Sequence, residues 1–175
     1  MPRIALVDPS IATGSVKTLL DGIARKLGYV PPLMRVLANS PASLSGYVGF
    51  MNALAGGAIT AANRERIALA LAQTNDCRAC LAAHTGYAKA TGLTSDEIVA
   101  ARSFSSAEPE AAAMLAFAHA MLDTRGHLSH SQFVAVRESG IADGALVEIA
   151  ALVAINLFTN SVNSLADVEA TPSLL

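Results

Sequence analysis

At 175 residues the chain is long enough to bury one hydrophobic core and short for two independent domains. A net charge of −2, with twelve basic residues that nowhere form a run, leaves no electrostatic case for nucleic acid or an anionic membrane as partner. The composition is apolar for a soluble protein, 53% hydrophobic and only 15% charged. An alanine-rich helical core accounts for part of that excess and a large subunit interface for the rest, so a homo-oligomer is expected.

Helical punctuation recurs along the chain and strand patterning is nearly absent, which predicts one all-α domain over residues 1–175. An amphipathic helix over residues 14–27 ends at Gly28. Pro32 opens a short helix to Leu37, and Pro41 opens another to about Leu54, closed by Gly56-Gly57. Thr60 caps a helix from Ala61 to about Gln73, where Thr74-Asn75-Asp76 interrupts with turn-forming residues. A new helix starts around Cys77 and stops at Gly92. Thr94 with Glu97 has the form of a capping box and starts a helix to about Arg102. Pro109 starts an alanine-rich helix ending at Gly126; Ser129 with Gln132 forms a second capping box leading to Gly140. Asp143 caps a last long segment to about Ala166, with a break expected near Thr159-Asn160, where Asn160 and Asn163 would cap.

The most apolar run, Ile141 to Phe158, is interrupted by Asp143, Glu148 and Asn156 and so falls short of the roughly 20 apolar residues of a membrane span. The stretch from Met1 to Asp8 is too weakly apolar for a signal peptide. A cytoplasmic protein is therefore expected, and in a reducing compartment two cysteines three residues apart read as catalytic rather than as a staple.

A weak internal echo accompanies these elements. Glu65 precedes Cys77, Cys80 and His84 by 12, 15 and 19 residues, and Glu148 precedes Asn160, Asn163 and Asp167 by the same distances. The offset suggests two related helical halves, only one of which carries thiols.

The chemistry concentrates in residues 65–84. On one helix, Cys77, Cys80 and His84 fall on a common face, because spacings of three and four match the helical turn. The two sulfurs can then bridge. A free thiol titrates near 8.5, and a helix N-terminus favours its thiolate, as does a histidine able to take the proton. One sulfur can attack a peroxide or a disulfide while the other resolves the intermediate. Glu65 sits just before the wholly apolar run Ile67 to Ala72, where a carboxylate holds its proton or seeks a partner. A turn at 74–76 that folds the helices together would bring Glu65 to His84 as a proton relay.

Other readings of these residues stand beside this one. Cys77, Cys80, His84 and Glu65 would also make four zinc ligands, although tetrahedral sites usually take their cysteines from a turn. Glu65 alone, flanked by Arg64 and Arg66, reads as ordinary charge in the first turns of a helix. His119 reads as a packed or interface histidine, His127 and His130 as solvated, and Tyr87 as facing Cys80 or simply packing.

Glu65, Cys77, Cys80 and His84, in the pattern Glu-x11-Cys-x2-Cys-x3-His, resemble the core motif of the alkyl hydroperoxidase D / carboxymuconolactone decarboxylase family. Gly92-Leu93-Thr94 with Glu97-Ile98, Asn39-Ser40-Pro41, and Asn156 through Asn160 resemble its peroxidase-related branch, over residues 20–167 or so. The resemblance implies an all-helical bundle of the alkyl hydroperoxidase D type, assembled as a trimer or hexamer. It implies that Cys80 attacks a hydroperoxide, that Cys77 resolves the intermediate, and that Glu65 and His84 relay protons. It implies no resident cofactor, an external dithiol such as dihydrolipoamide as electron donor, and a lipoyl protein or a peroxiredoxin as redox partner. Many redox members carry a histidine or aromatic residue where this chain has Ala79, which removes one relay group. Decarboxylase members generally lack the cysteine pair. Three functions follow: a thiol peroxidase or disulfide oxidoreductase, a decarboxylase-like lyase using Glu65 and His84, or a non-enzymatic helical oligomer that senses oxidants or binds zinc.

Overall fold

Most helices begin where the sequence supplies a capping side chain or a proline. The computed structural model describes residues 2–170, and among them the helices are α1 Gly14–Leu27, α2 Pro32–Leu37, α3 Pro41–Ala55, α4 Ala61–Thr74, α5 Arg78–Ala90, α6 Ser95–Ala101, α7 Pro109–Thr124, α8 His130–Glu138 and α9 Asp143–Ala166. No strand occurs among the described residues. Ser40 and Thr60 accept the amides of Ser43 and Asn63, and both expected capping boxes close, Thr94 with Glu97 and Ser129 with Gln132. Gly28 ends α1 in the left-handed region at φ 79°, and its amide returns to the Ala24 carbonyl at 2.8 Å.

Two boundaries differ from expectation. Cys77 is the N-cap of α5 rather than a residue within it. The last helix runs unbroken for 24 residues, with Ala142 rather than Asp143 at its N-cap; the Asp143 carboxylate instead pairs with Arg137. The expected break is absent because each of its polar side chains finds at least one partner without one. Asn156 Nδ2 donates to the Leu152 carbonyl at 2.9 Å and Thr159 Oγ1 to the Asn156 carbonyl at 3.1 Å, while Asn160 and Asn163 find partners beyond the helix.

The central helix α4 buries every side chain from Arg66 to Ala72. Ile67, Ala70 and Leu71 pack with Leu115 and Ala118 of α7 and with Ile149 and Leu152 of α9 in one continuous core. Truncating a fully buried leucine there, such as Leu71→Ala, costs about 2–5 kcal/mol. A second cluster of Leu20, Leu37 and Leu44 joins α1, α2 and α3, and a third of Leu69, Ala88, Leu93 and Ile98 seats α6. By length and composition α9 could cross a membrane, but half of its most apolar window is buried against α4 and α7, as befits a core helix.

Arg66 is 3% exposed and fixes α4 in orientation. Its guanidinium donates to Asn63 Oδ1 at 2.7 Å, Glu97 Oε1 at 2.7 Å and Glu108 Oε1 at 2.6 Å, tying α4 to the first turns of α6 and α7. Glu65, next in sequence, is thereby left without an arginine partner and faces the other way.

The Glu65 and Glu148 windows fold differently. Glu65 lies on a helix that turns back on itself, whereas Glu148 lies on the straight α9 and accepts the amides of Ala58 and Ile59 at 3.0 and 3.1 Å. The echo in sequence does not become an echo in structure.

Candidate active site

The site is built by the reversal between α4 and α5. Asn75 ends α4, Asp76 adopts left-handed backbone at φ 48°, and the Cys77 amide donates back to the Ala72 carbonyl at 2.9 Å. Asp tolerates this region better than most residues, since its short polar side chain bonds locally. The reversal lays α5 along α4. Asn75 Nδ2 also donates to Asn160 Oδ1 at 2.8 Å, which clamps the turn onto α9.

Cys77 and Cys80 form a disulfide with their Cα atoms 5.2 Å apart. Both are buried. Each sulfur faces one donor. The Cys80 amide, in the first turn of α5, points at Cys77 Sγ at 3.3 Å, and Asn163 Nδ2 points at Cys80 Sγ at 3.2 Å. A disulfide sulfur is a weak acceptor, but the same donors facing a thiolate make charge-assisted bonds. The arrangement therefore favours both sulfurs as thiolates once the bridge opens.

Glu65 and His84 meet as expected: Glu65 Oε2 lies 2.7 Å from His84 Nδ1, with both side chains about one-fifth exposed. The carboxylate fixes the imidazole orientation and leaves Nε2 free to exchange a proton with a reacting group. Tyr87 packs edge-on against His84 at 5.9 Å between ring centroids, and its hydroxyl lies 3.4 Å from that of Tyr29. Burial, then the hydrogen bond with Tyr29, pushes the Tyr87 phenol well above its ordinary value. Burial and the Glu65 charge push Tyr47 up to about 12. Both phenols stay neutral at physiological pH.

These groups share a cavity of about 320 Å³. Cys80, His84, Glu65 and Tyr87 line it, together with apolar residues that include Met34, Met51, Leu152 and Ile155. Arg64 reaches its rim, with its guanidinium donating to the Ile59 carbonyl at 2.5 Å. All four residues singled out in the sequence are thus close together: three line the cavity directly, and the fourth, Cys77, is bonded to Cys80. Among the described residues no group of three or more His, Cys, Asp and Glu side chains converges as a metal-ligand set.

Sequence reasoning missed Asn163, Tyr29 and Tyr47. Asn163 was read as a cap, yet it is 7% exposed and its Oδ1 has no partner. An asparagine in the middle of an apolar helix was the available signal. Of the other histidines, His119 is half exposed, stacks on Phe104 at 4.4 Å and pairs with Asp123 at 3.2 Å, while His127 and His130 are exposed.

Comparison with known proteins agrees with this architecture. Residues 41–123, which span α3 to most of α7, match the model of the carboxymuconolactone decarboxylase family. No curated protein sequence matches the chain. A peroxidase-related protein with an alkylhydroperoxidase core from Ralstonia eutropha JMP134 superposes with TM-score 0.83 at 22% identity, covering 99% of this chain and 94% of that one. A peroxidase-related protein from Silicibacter sp. TM1040 gives TM-score 0.82 at 20% identity, covering 98% and 92%. The debrominase Bmp8 gives 0.81 at 22% identity, covering 98% and 94%. These likenesses establish the fold, that of an alkyl hydroperoxidase core. Residues 41–123, with the Cys-x-x-Cys pair near their centre, are similar to the carboxymuconolactone decarboxylase family.

Proposed function

We propose that the protein is an enzyme that reduces hydroperoxides with the dithiol Cys77 and Cys80. The single observation that carries this reading is the bridged pair opening its Cys80 side into the cavity that holds the Glu65–His84 couple. The Cys80 thiolate attacks the terminal peroxide oxygen, the O–O bond breaks, and the alkoxide leaves with a proton supplied through His84. The resulting sulfenic acid is attacked by the Cys77 thiol, which forms the disulfide and releases water. An external dithiol such as dihydrolipoamide, free or on a lipoyl protein, returns two electrons, and a peroxiredoxin is a further candidate partner. No resident cofactor takes part in this cycle.

The same reading places the protein in the cytoplasm as a homo-oligomer, trimer or hexamer. Supporting association, Val147, Phe158 and Leu165 remain 70%, 38% and 61% exposed on α9, and their spacings put them on one helix face. Light scattering on the purified protein checks the assembly.

The functional test is peroxide consumption with a panel of donors: dihydrolipoamide, thioredoxin and glutathione. Turnover that disappears in Cys80→Ser supports the reading, and turnover retained without either cysteine refutes it. A second reading applies the same dithiol to an aromatic halide, with the thiols oxidised and hydrogen halide released. The tyrosines 29, 47 and 87 around the cavity favour it, and a fold neighbour is known as a complex of a debrominase with 2,3,4-tribromopyrrole. Halide release from a bromopyrrole in the same assay decides between them. A lyase that used only Glu65 and His84 would work equally well with the disulfide closed.

A further inference from the structure

The disulfide divides two cavities of opposite character. Cys80 lines the apolar one described above, and Cys77 does not. On the other side Cys77 lines a separate polar cavity of about 280 Å³, and Cys80 does not. The second cavity is also lined by the exposed Asp76, Arg78, Ser164 and Asp167, and Ala79, Asn163 and Val168 stand in the wall of both. Asn163 is more than nine-tenths buried, and its amide oxygen is unpartnered. Nothing in the peroxide chemistry uses the second cavity.

We infer, building on the peroxidase reading, that this polar cavity is the separate docking site for the reducing dithiol, which attacks Cys77 while the apolar cavity remains reserved for the peroxide. Thiol–disulfide exchange proceeds in line: the incoming thiolate approaches one sulfur from the side opposite its bonded partner. A thiolate arriving in the polar cavity reaches Cys77 and not Cys80, since of the two cysteines only Cys77 lines it. The new bond joins the reductant sulfur to Cys77, the Cys77–Cys80 bond breaks, and Cys80 leaves as a thiolate facing the Asn163 amide. The second thiol of the reductant then attacks its own sulfur in the mixed disulfide and releases Cys77. The reductant departs as a disulfide, and its two thiol protons end on the two cysteines. The peroxide nucleophile is thus regenerated in the cavity where the peroxide binds.

The chemistry of the walls fits this step. Arg78, the first residue of α5, and the α5 N-terminus favour an incoming thiolate, as they favour the thiolates of the chain itself. Asp76 and Asp167 also line the cavity, so a dithiol with no other negative charge is favoured over an anionic carrier.

The two half-reactions can be read apart in the full-length protein. Reduction is followed by thiol release after the disulfide has been set with diamide, so it is measurable even if the protein consumes no peroxide. Oxidation is followed in pre-reduced protein with cumene hydroperoxide. Ser164→Trp fills the polar cavity from an exposed helix position, and Arg78→Trp fills it from the other wall; Met51→Trp fills the apolar one. Circular dichroism checks that each variant is folded. Both polar-cavity variants are expected to slow reduction by free dihydrolipoamide at least tenfold more than they slow oxidation, and Met51→Trp to do the reverse. The unreactive alcohol 2-phenyl-2-propanol is expected to compete with the peroxide and not with the dithiol. A dihydrolipoyl protein in place of free dihydrolipoamide shows whether the dithiol can arrive on a carrier: a parallel split means that the same cavity receives the arm. Equal loss of both half-reactions in every variant, or competition between the alcohol and the dithiol, would mean one shared route and overturn the inference. Failure of oxidation in the unmodified protein, with the reduction split intact, would overturn only the peroxidase reading.

Discussion

The side-chain amide of Asn163 donates to Cys80 Sγ at 3.2 Å, across 83 residues of chain and from a different helix. A hydrogen bond to a charged group contributes about 1.5–3 kcal/mol, which corresponds to roughly one to two pKa units on the thiol it faces. Asn163→Leu is therefore expected to raise the Cys80 thiol pKa by about one unit or more. Thiolate absorbance against pH in a Cys77→Ser background measures it, and an unmoved titration would show that the amide only fills space.

Glu65 and His84 act as one unit if the 2.7 Å contact between them orients the imidazole. Glu65→Gln and His84→Asn are each expected to lower kcat/KM for peroxide by about 10²–10⁴-fold, the range of general acid–base assistance. The double variant is expected to lose little more than the worse single one. Multiplicative losses in steady-state kinetics would mean that the two residues serve separate steps.

Glu97 links pH to stability. The Thr94 amide and hydroxyl, followed by Arg66, lower its carboxyl from an ordinary 4.5 to about 2. Because the folded value lies below the unfolded one, its stabilisation is fully present above about pH 4.5 and disappears as the pH falls toward 2. Glu97→Gln is expected to lower the melting temperature at pH 7 and to flatten the acid limb between those values. Melting curves at stepped pH check this, and an acid limb of unchanged slope would contradict it.

Gly57 lies against the Glu148 carboxylate so closely that an added Cβ would stand 2.4 Å from its Oε2. Gly57→Ala is expected to push Glu148 aside and strip the Ala58 and Ile59 amides of their acceptor. The cost is about 1–3 kcal/mol, that of leaving a partly buried donor unsatisfied. Urea denaturation gives the value, and Glu148→Ala should remove most of the difference between glycine and alanine at this position.

Local chemistry was the most legible part of the sequence. Thr60, Thr94 and Ser129 start helices because a cap is a hydrogen bond between near neighbours, and such bonds need no knowledge of the fold. The cysteine, histidine and glutamate spacing was legible for the same reason, since one helical turn and one reversal bring them together. The course of α9 was not. Asn160 and Asn163 have the local signature of a helix break, and only their contacts with Asn75 and Cys80, from the α4–α5 reversal, let the helix continue. The tyrosines of the cavity escaped notice too, because Tyr29 lies in the loop before α2 and Tyr47 on α3, both far in sequence from the residues they adjoin.

The most direct measurement oxidises the fully reduced protein with one equivalent of organic hydroperoxide, counts the remaining thiols and maps the product by mass spectrometry. The account predicts loss of both thiols in each chain, a Cys77–Cys80 disulfide, and one alcohol formed per peroxide consumed. Intact thiols beside unconsumed peroxide, or equal alcohol formation by a protein with both cysteines replaced by serine, would contradict it.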